Sequence, residues 1–203
     1  MLFAKHIELE TLNSRLLAEL FDASRLDDGH LIRVLDLGPA SAPTFSYLSR
    51  FNCRLRVIDI RDRLVQIDTL LKEDPEIDPA ELEHRLEAAF GFKGDESFDV
   101  CLAWDFLNYL NVALLPMFAR ILLPRLSDKG KIHGFAVLNK STPLTQQNYG
   151  VVDLELLSVT RQKNVTLPYR HSQSAIKDYL KGIAVSQSIL RADGRLEMIL
   201  KRI

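Results

Sequence analysis

The residues most suited to chemistry in this chain are acids placed where apolar runs end. Asp36 stands inside the run Leu31 to Leu37 and is followed by Gly38-Pro39-Ala40-Ser41-Ala42-Pro43. Small side chains after a strand let a ligand approach the backbone closely. Pro43 can open a helix, whose first N–H groups are free to bind. Asp59 closes a second apolar run, Arg54 to Ile60. A carboxylate is unusual at the close of a buried strand, and an acid there can accept two hydrogen bonds from a ribose. A tight bend, a helix start and an acid on the next strand together describe a place for an adenosine at a strand-order switch point. Asp36 also suits the plainer task of satisfying the amides of its own turn. Trp104 and Asp105 end a third apolar run, Phe98 to Trp104, with Asn108 and Tyr109 just beyond. Trp104 could equally cap the core, and Asp105 and Asn108 could cap a following helix. No nucleophile–base pair stands out. His133 reads as a histidine satisfied within a sheet, and His171 as part of a helix entry, with Tyr169 and Arg170 before it at the mouth of the site.

These residues need a framework to hold them. Leu9, Leu12, Leu16, Leu17 and Leu20 fall at helical spacing and predict an amphipathic helix over 7–25, within an N-terminal cap of residues 1–26. The rest, 30–203, alternates. Strands are predicted at 31–37, 54–60, 98–104 and 131–138, and helices at 43–51, 62–72, 79–90 and 112–126. Ser127-Asp128-Lys129-Gly130 reads as a turn, and 139–170 as irregular apart from a strand-like piece at 151–161. Ser172 caps a helix running to Lys181. The strands 183–190 and 195–203 are joined by Ala192-Asp193-Gly194, a strong hairpin signal. Alternation of this kind implies parallel strands with right-handed crossovers. The expected fold is α/β: one Rossmann-like, three-layer sandwich domain, with a mostly parallel seven-stranded sheet and a C-terminal antiparallel hairpin.

With 203 residues and a formal net charge of −1, the chain is large enough for one core and lacks the basic face that phosphate-backbone binding needs. Nucleic acid is not an expected partner. No apolar run approaches a membrane span and no signal core opens the chain, so a cytoplasmic protein is expected. Cys53 and Cys101 read as buried reduced thiols, and no metal-ligand spacing is present.

At the bend and the two strand-end acids the sequence resembles the class I S-adenosylmethionine-dependent methyltransferases. Asp36, Gly38, Ala40 and Ala42 match their first motif, Asp59 their second, and Phe98 to Asp105 a later one. The terminal hairpin matches their reversed last strand. The resemblance covers roughly residues 30–203 and implies S-adenosylmethionine as cofactor. It places Asp36, Gly38, Pro39 and Ala40 around the methionine end and Asp59 at the ribose. It also puts Ile60 on the adenine, with Trp104 and Asp105 facing donor or acceptor. Asn108, Tyr109, Tyr169 and Arg170 would shape the acceptor side. Only one glycine of the usual bend remains, and Pro39 removes a donor from it.

The resulting expectation is methyl transfer to a small molecule or a protein. Direct displacement at a sulfonium needs positioning more than acid–base groups. Two alternatives stand beside it. One is a catalytically silent scaffold or regulatory partner, with the apolar 7–25 segment as a docking or homodimer surface. The other is a nicotinamide-dependent oxidoreductase, whose fingerprint would need glycine near Ala40 and Pro43.

Overall fold

The first element is a strand, not the predicted helix. In the computed structural model, which describes residues 9–21, 29–138, 142, 145–166 and 168–203, β1 (Leu9–Asn13) lies antiparallel to a later strand, from Leu9 opposite Thr160 to Asn13 opposite Leu156. Leu16, Leu17 and Leu20 are buried in and beside a short 3-10 turn, Leu17–Leu20. Helical spacing is a weak local preference, and a ladder with a distant strand overrides it here. The remainder of the predicted helical cap, 1–8 and 22–26, lies outside the described residues.

The core of the fold follows the predicted alternation. β2 (Ile32–Asp36) is buried along nearly its whole length and takes a central place, parallel to β3 (Cys53–Val57) and to β4 (Phe98–Trp104). Helix α1 (Ala42–Leu48) begins with Pro43 in its first turn and links β2 to β3. Helices α2 (Arg61–Glu73) and α3 (Pro79–Phe90) carry the chain back across to β4; Asp78 caps α3 through Ala80 N, and Gly91 ends it at φ 56°. Helix α4 (Leu114–Leu122) runs through a 3-10 turn at Pro124 directly into β5 (Leu126–Val137). The predicted turn at 127–130 is therefore part of a strand, accommodated by a register shift between Phe98 and Val100.

The six-stranded sheet has the order β3-β2-β4-β5-β9-β8, where β8 is Ile183–Leu190 and β9 is Arg195–Arg202. The first four strands are mutually parallel, and β9 runs antiparallel to both its neighbours. Six consecutive buried residues, Arg195 to Leu200, explain why the last strand is interior, while the largely exposed β8 takes the edge. Gly194, at φ 80°, makes the hairpin bend between them. The sheet is mixed and has six strands, not the expected seven.

The stretch 139–170, predicted irregular apart from a strand-like piece at 151–161, contains a two-stranded hairpin. β6 (Thr145–Val151) and β7 (Leu156–Thr166) join β1 in a separate three-stranded antiparallel sheet, β1-β7-β6. This sheet packs on the same side as α1, around Tyr47, Leu48, Trp104 and Phe135. The opposite side of the large sheet is covered by α2, α3, α4 and α5 (Gln173–Tyr179), which Ser172 caps through Ala175 N. No helix among the described residues is long and apolar enough to cross a membrane.

Candidate functional site

The crevice falls where the topology predicts it. The crossover from β2 goes to one side of the sheet and the return from β3 goes to the other. The carboxyl ends of β2 and β4 therefore form a switch point. Asp36 ends β2 there. Its Oδ1 accepts the Gly38 N–H at 2.8 Å and the Trp104 indole N–H at 2.6 Å. Its Oδ2 is buried without a hydrogen-bond partner among the described residues. Burial pushes the Asp36 carboxyl up to about 6, with the two hydrogen bonds pulling against that rise and Asp59 adding to it.

Trp104 is the last residue of β4 and the one non-glycine with positive φ, 49°, among the described residues. That backbone turns the indole over the bend. A side chain at Gly38 would begin 2.8 Å from Trp104 Cδ1, so the closeness that the glycine permits is used by the indole. Tyr149 of β6 stacks on the indole with ring centroids 5.2 Å apart, and His133 of β5 meets it edge-on at 5.9 Å. The small residues of the bend serve the same sheet. Gly150 lies against Ser41 and Pro43, and Val151 N–H donates to Thr44 Oγ1 at 3.0 Å.

Asp59 lies just beyond the end of β3, and its carboxylate is gripped by Arg61. Nε reaches Oδ1 at 2.8 Å and Nη2 reaches Oδ2 at 2.7 Å, while Nη1 donates to Asn148 Oδ1 at 2.8 Å. Burial opposes ionisation of Asp59, but the Arg61 hydrogen bonds and charge together outweigh it and hold the carboxyl below the usual range. Ile60 is only 3% exposed and packs in the core with Leu64, so it offers no face to an adenine. Pro39 is half-buried beside the crevice and Ala40 is exposed.

Asp105 belongs to a buried polar cluster. Arg195 Nη1 donates to its Oδ1 at 2.7 Å, and the Tyr149 hydroxyl donates to the same carboxylate at 3.0 Å. Asn108 is tied to the chain at Tyr169 by paired bonds of 2.9 and 3.0 Å, and the Tyr169 hydroxyl reaches Asp68 on α2. Arg170 donates to the Thr142 carbonyl at 3.2 Å. His171, at the entry to α5, is bonded to the carbonyls of Leu107 and Leu110. Tyr109 lines the crevice, and burial pushes its phenol up to about 12.

Asp36, Gly38, Trp104, Asp105 and Tyr109 thus come together, with Asp59 reached through Arg61. The sequence reading missed Arg61, Tyr149 and Arg195. Arg195 alone left a trace, a cation opening a strand whose next residues are mostly apolar. The polar groups suit a ligand that brings a hydrogen-bond donor or a positive charge, because Asp36 Oδ2 lacks a donor among the described residues. The space does not. The cavity between Gly38, Arg61, Trp104, Asp105, Tyr109 and Tyr149 measures about 10 Å³, room for one water at most, whereas small-molecule sites run to several hundred Å³. In this arrangement the Trp104 indole occupies the hollow over Gly38, so S-adenosylmethionine enters it only when the indole moves aside.

The fold is similar to that of solved methyltransferases. A solved S-adenosylmethionine-dependent methyltransferase from Clostridium acetobutylicum superposes with a TM-score of 0.50 at 10% identity, over 94% of this chain and 92% of that one. Glycopeptide N-methyltransferase MtfA complexed with sinefungin gives 0.48 at 16% identity over 93% and 86%. A type 11 methyltransferase structure from Sulfolobus solfataricus, itself a tentative assignment, gives 0.48 at 15% identity over 91% and 90%. No protein-family model and no curated protein sequence matches the chain. The likeness defines the fold.

Proposed function

We propose that this chain is a methyltransferase that takes S-adenosylmethionine at the β2–β4 crevice, with its hollow closed by Trp104 in the arrangement described. The observation that carries the reading is Asp36 Oδ2, a buried carboxylate oxygen without a donor, beside Gly38 at the switch point. A buried acceptor left unpaired costs about 1–3 kcal/mol, and a ligand bearing positive charge removes that penalty. The fold supports the same ligand class, since a solved structure that shares it is a methyltransferase dependent on S-adenosylmethionine. The acceptor is a small molecule or a protein.

A second reading rests on the closure itself. Trp104 occupies one oxygen of Asp36, Arg61 satisfies Asp59, and Tyr149 covers the indole. If that packing never opens, the chain is a scaffold with a methyltransferase fold. Trp104 is the only tryptophan in the sequence, so its fluorescence reports on the plug without interference. Titration with S-adenosylhomocysteine, followed by calorimetry and by this fluorescence, separates the two. Methyl transfer requires saturable binding with a change in the tryptophan signal. Absence of binding to both the native chain and Trp104→Gly leaves only the scaffold.

A further inference from the structure

Across Tyr109 from the closed hollow lies a second cavity, of about 570 Å³, bordered by Asp59, Asp62, Val65, Asp68, Tyr109 and Gln146. That size is within the range of small-molecule pockets. One wall is a single face of α2, along which Asp62, Val65, Asp68 and Lys72 recur every three or four residues. Its ionic groups are mostly spent on one another. Asp59 is held by Arg61, and Asp68 by Lys72 at 2.6 Å and by the Tyr169 hydroxyl. Asp62 has no hydrogen bond or ion pair with the described residues, so three carboxylates face two cations and one negative charge is left over.

Two further features point to a ligand. Tyr109 is 7% exposed, and beyond the neighbouring Arg61 guanidinium its hydroxyl has no polar partner among the described residues. Gln146 likewise makes no side-chain hydrogen bond with them. Val65, 58% exposed, and Pro168 supply an apolar wall beside these polar groups. A roomy pocket with one unpaired carboxylate, a buried hydroxyl and an apolar side matches an amphipathic cation.

We propose that this cavity binds a small amine with an apolar body, its ammonium at Asp62, its body against Val65 and Pro168, and a polar tip at the Tyr109 hydroxyl. Tyr109 also borders the small cavity over Gly38, so a molecule held here lies next to the crevice. That the bound amine is the methyl acceptor rests on the methyl-transfer reading above; that it binds does not.

The test uses the full chain with no donor present. Tyramine is titrated against hydroxyphenylpropionic acid, which has the same ring and chain length and the opposite charge, and backbone amide shifts are followed by heteronuclear NMR. Tyramine is expected to shift the amides around Asp62, Val65 and Gln146 and to bind at least about tenfold more tightly than the acid. Asp62→Asn, at an exposed position, should abolish that advantage, and Val65→Arg should block both probes. Equal binding of the two probes, shifts confined to other surfaces, or an unchanged tyramine affinity in Asp62→Asn would overturn the proposal. Tyramine binding without any S-adenosylhomocysteine binding would keep the pocket and discard methyl transfer; the reverse result would do the opposite.

Discussion

Trp104 donates its indole N–H to Asp36 Oδ1 at 2.6 Å, joining the ends of two neighbouring parallel strands across the bend at Gly38. The acid that marks the crevice is therefore held by an aromatic side chain of the same domain. That side chain is in turn covered by Tyr149, whose hydroxyl lies between Asp105 and Arg195. The closure is a chain of contacts from β2 through β4 and β6 to β9.

Trp104→Gly and Trp104→Ala should both lose the packed indole, at about 3–5 kcal/mol. Glycine accepts a φ of 49° without the penalty that alanine incurs, so the glycine variant is expected to be the more stable of the two by about 1 kcal/mol. Urea denaturation of both measures the difference. The usual order, alanine above glycine, would show that the left-handed backbone is not kept.

Asp36 gives a pH signature. Its folded value, about 6, lies above the unfolded one, so the folded state holds the proton more tightly. The contribution is full below the unfolded value and is lost as pH rises through about 6, by about 3 kcal/mol in all. Asp36→Asn should remove this loss, and denaturation midpoints at a series of pH values compare the two proteins. Parallel pH profiles would contradict the burial of an unpaired carboxylate.

Gly38→Ala should act on Trp104 and not on the backbone. The new methyl group would meet Trp104 Cδ1 at 2.8 Å, so the indole must shift. A stability loss of about 1–3 kcal/mol is expected, together with a red-shifted tryptophan emission. Emission identical to the native protein would mean that the indole does not rest on the bend.

Glu197 works in the opposite direction to Asp36. Burial raises its carboxyl, but hydrogen bonds from His133 and Ser14, the charge of His133 and the Arg15 amide outweigh that and bring it down to about 2. The stability this provides is present above the unfolded value and disappears as pH falls toward 2. Glu197→Gln should reduce that acid dependence. It should also speed hydrogen exchange at β1, because Glu197 accepts the amides of Arg15 and Leu16 and binds Arg191, which donates to the Asn13 carbonyl. Unchanged exchange at β1 would separate this cluster from the N-terminal strand.

Arg195→Met should leave Asp105 as an uncompensated buried charge and cost about 3–5 kcal/mol. The Arg195→Met, Asp105→Leu double variant should recover much of that loss, which a double-mutant cycle reads directly. If the double variant is no more stable than the single one, Arg195 acts through its packing and not its charge.

Much of the architecture was legible in the residues. Pro43 at a helix start, Ser172 as a cap and Gly194 in the hairpin are local devices, and each acts in the structure as its residue type implies. The bend at Asp36–Gly38 lies at the carboxyl end of β2, beside the end of β4. The N-terminal helix failed as an expectation because Leu9 to Asn13 pairs with Leu156 to Thr160, residues that no local period can sense. The hairpin of β6 and β7 was missed because its polar residues do not alternate cleanly, and its pairing partner β1 lies at the other end of the chain.

By itself, the sequence determined the alternation of strands and helices between Ile32 and Val137, the reversed final strand and the position of the acids, because periodicity, capping and turn chemistry act over a few residues. Tertiary structure alone decided what occupies the space above Gly38. Trp104 stands 68 residues from Asp36, and Tyr149 reaches the indole from a different sheet. Whether a crevice is open depends on which distant side chains fill it, and volume is a property of the assembled packing that no run of neighbouring residues encodes.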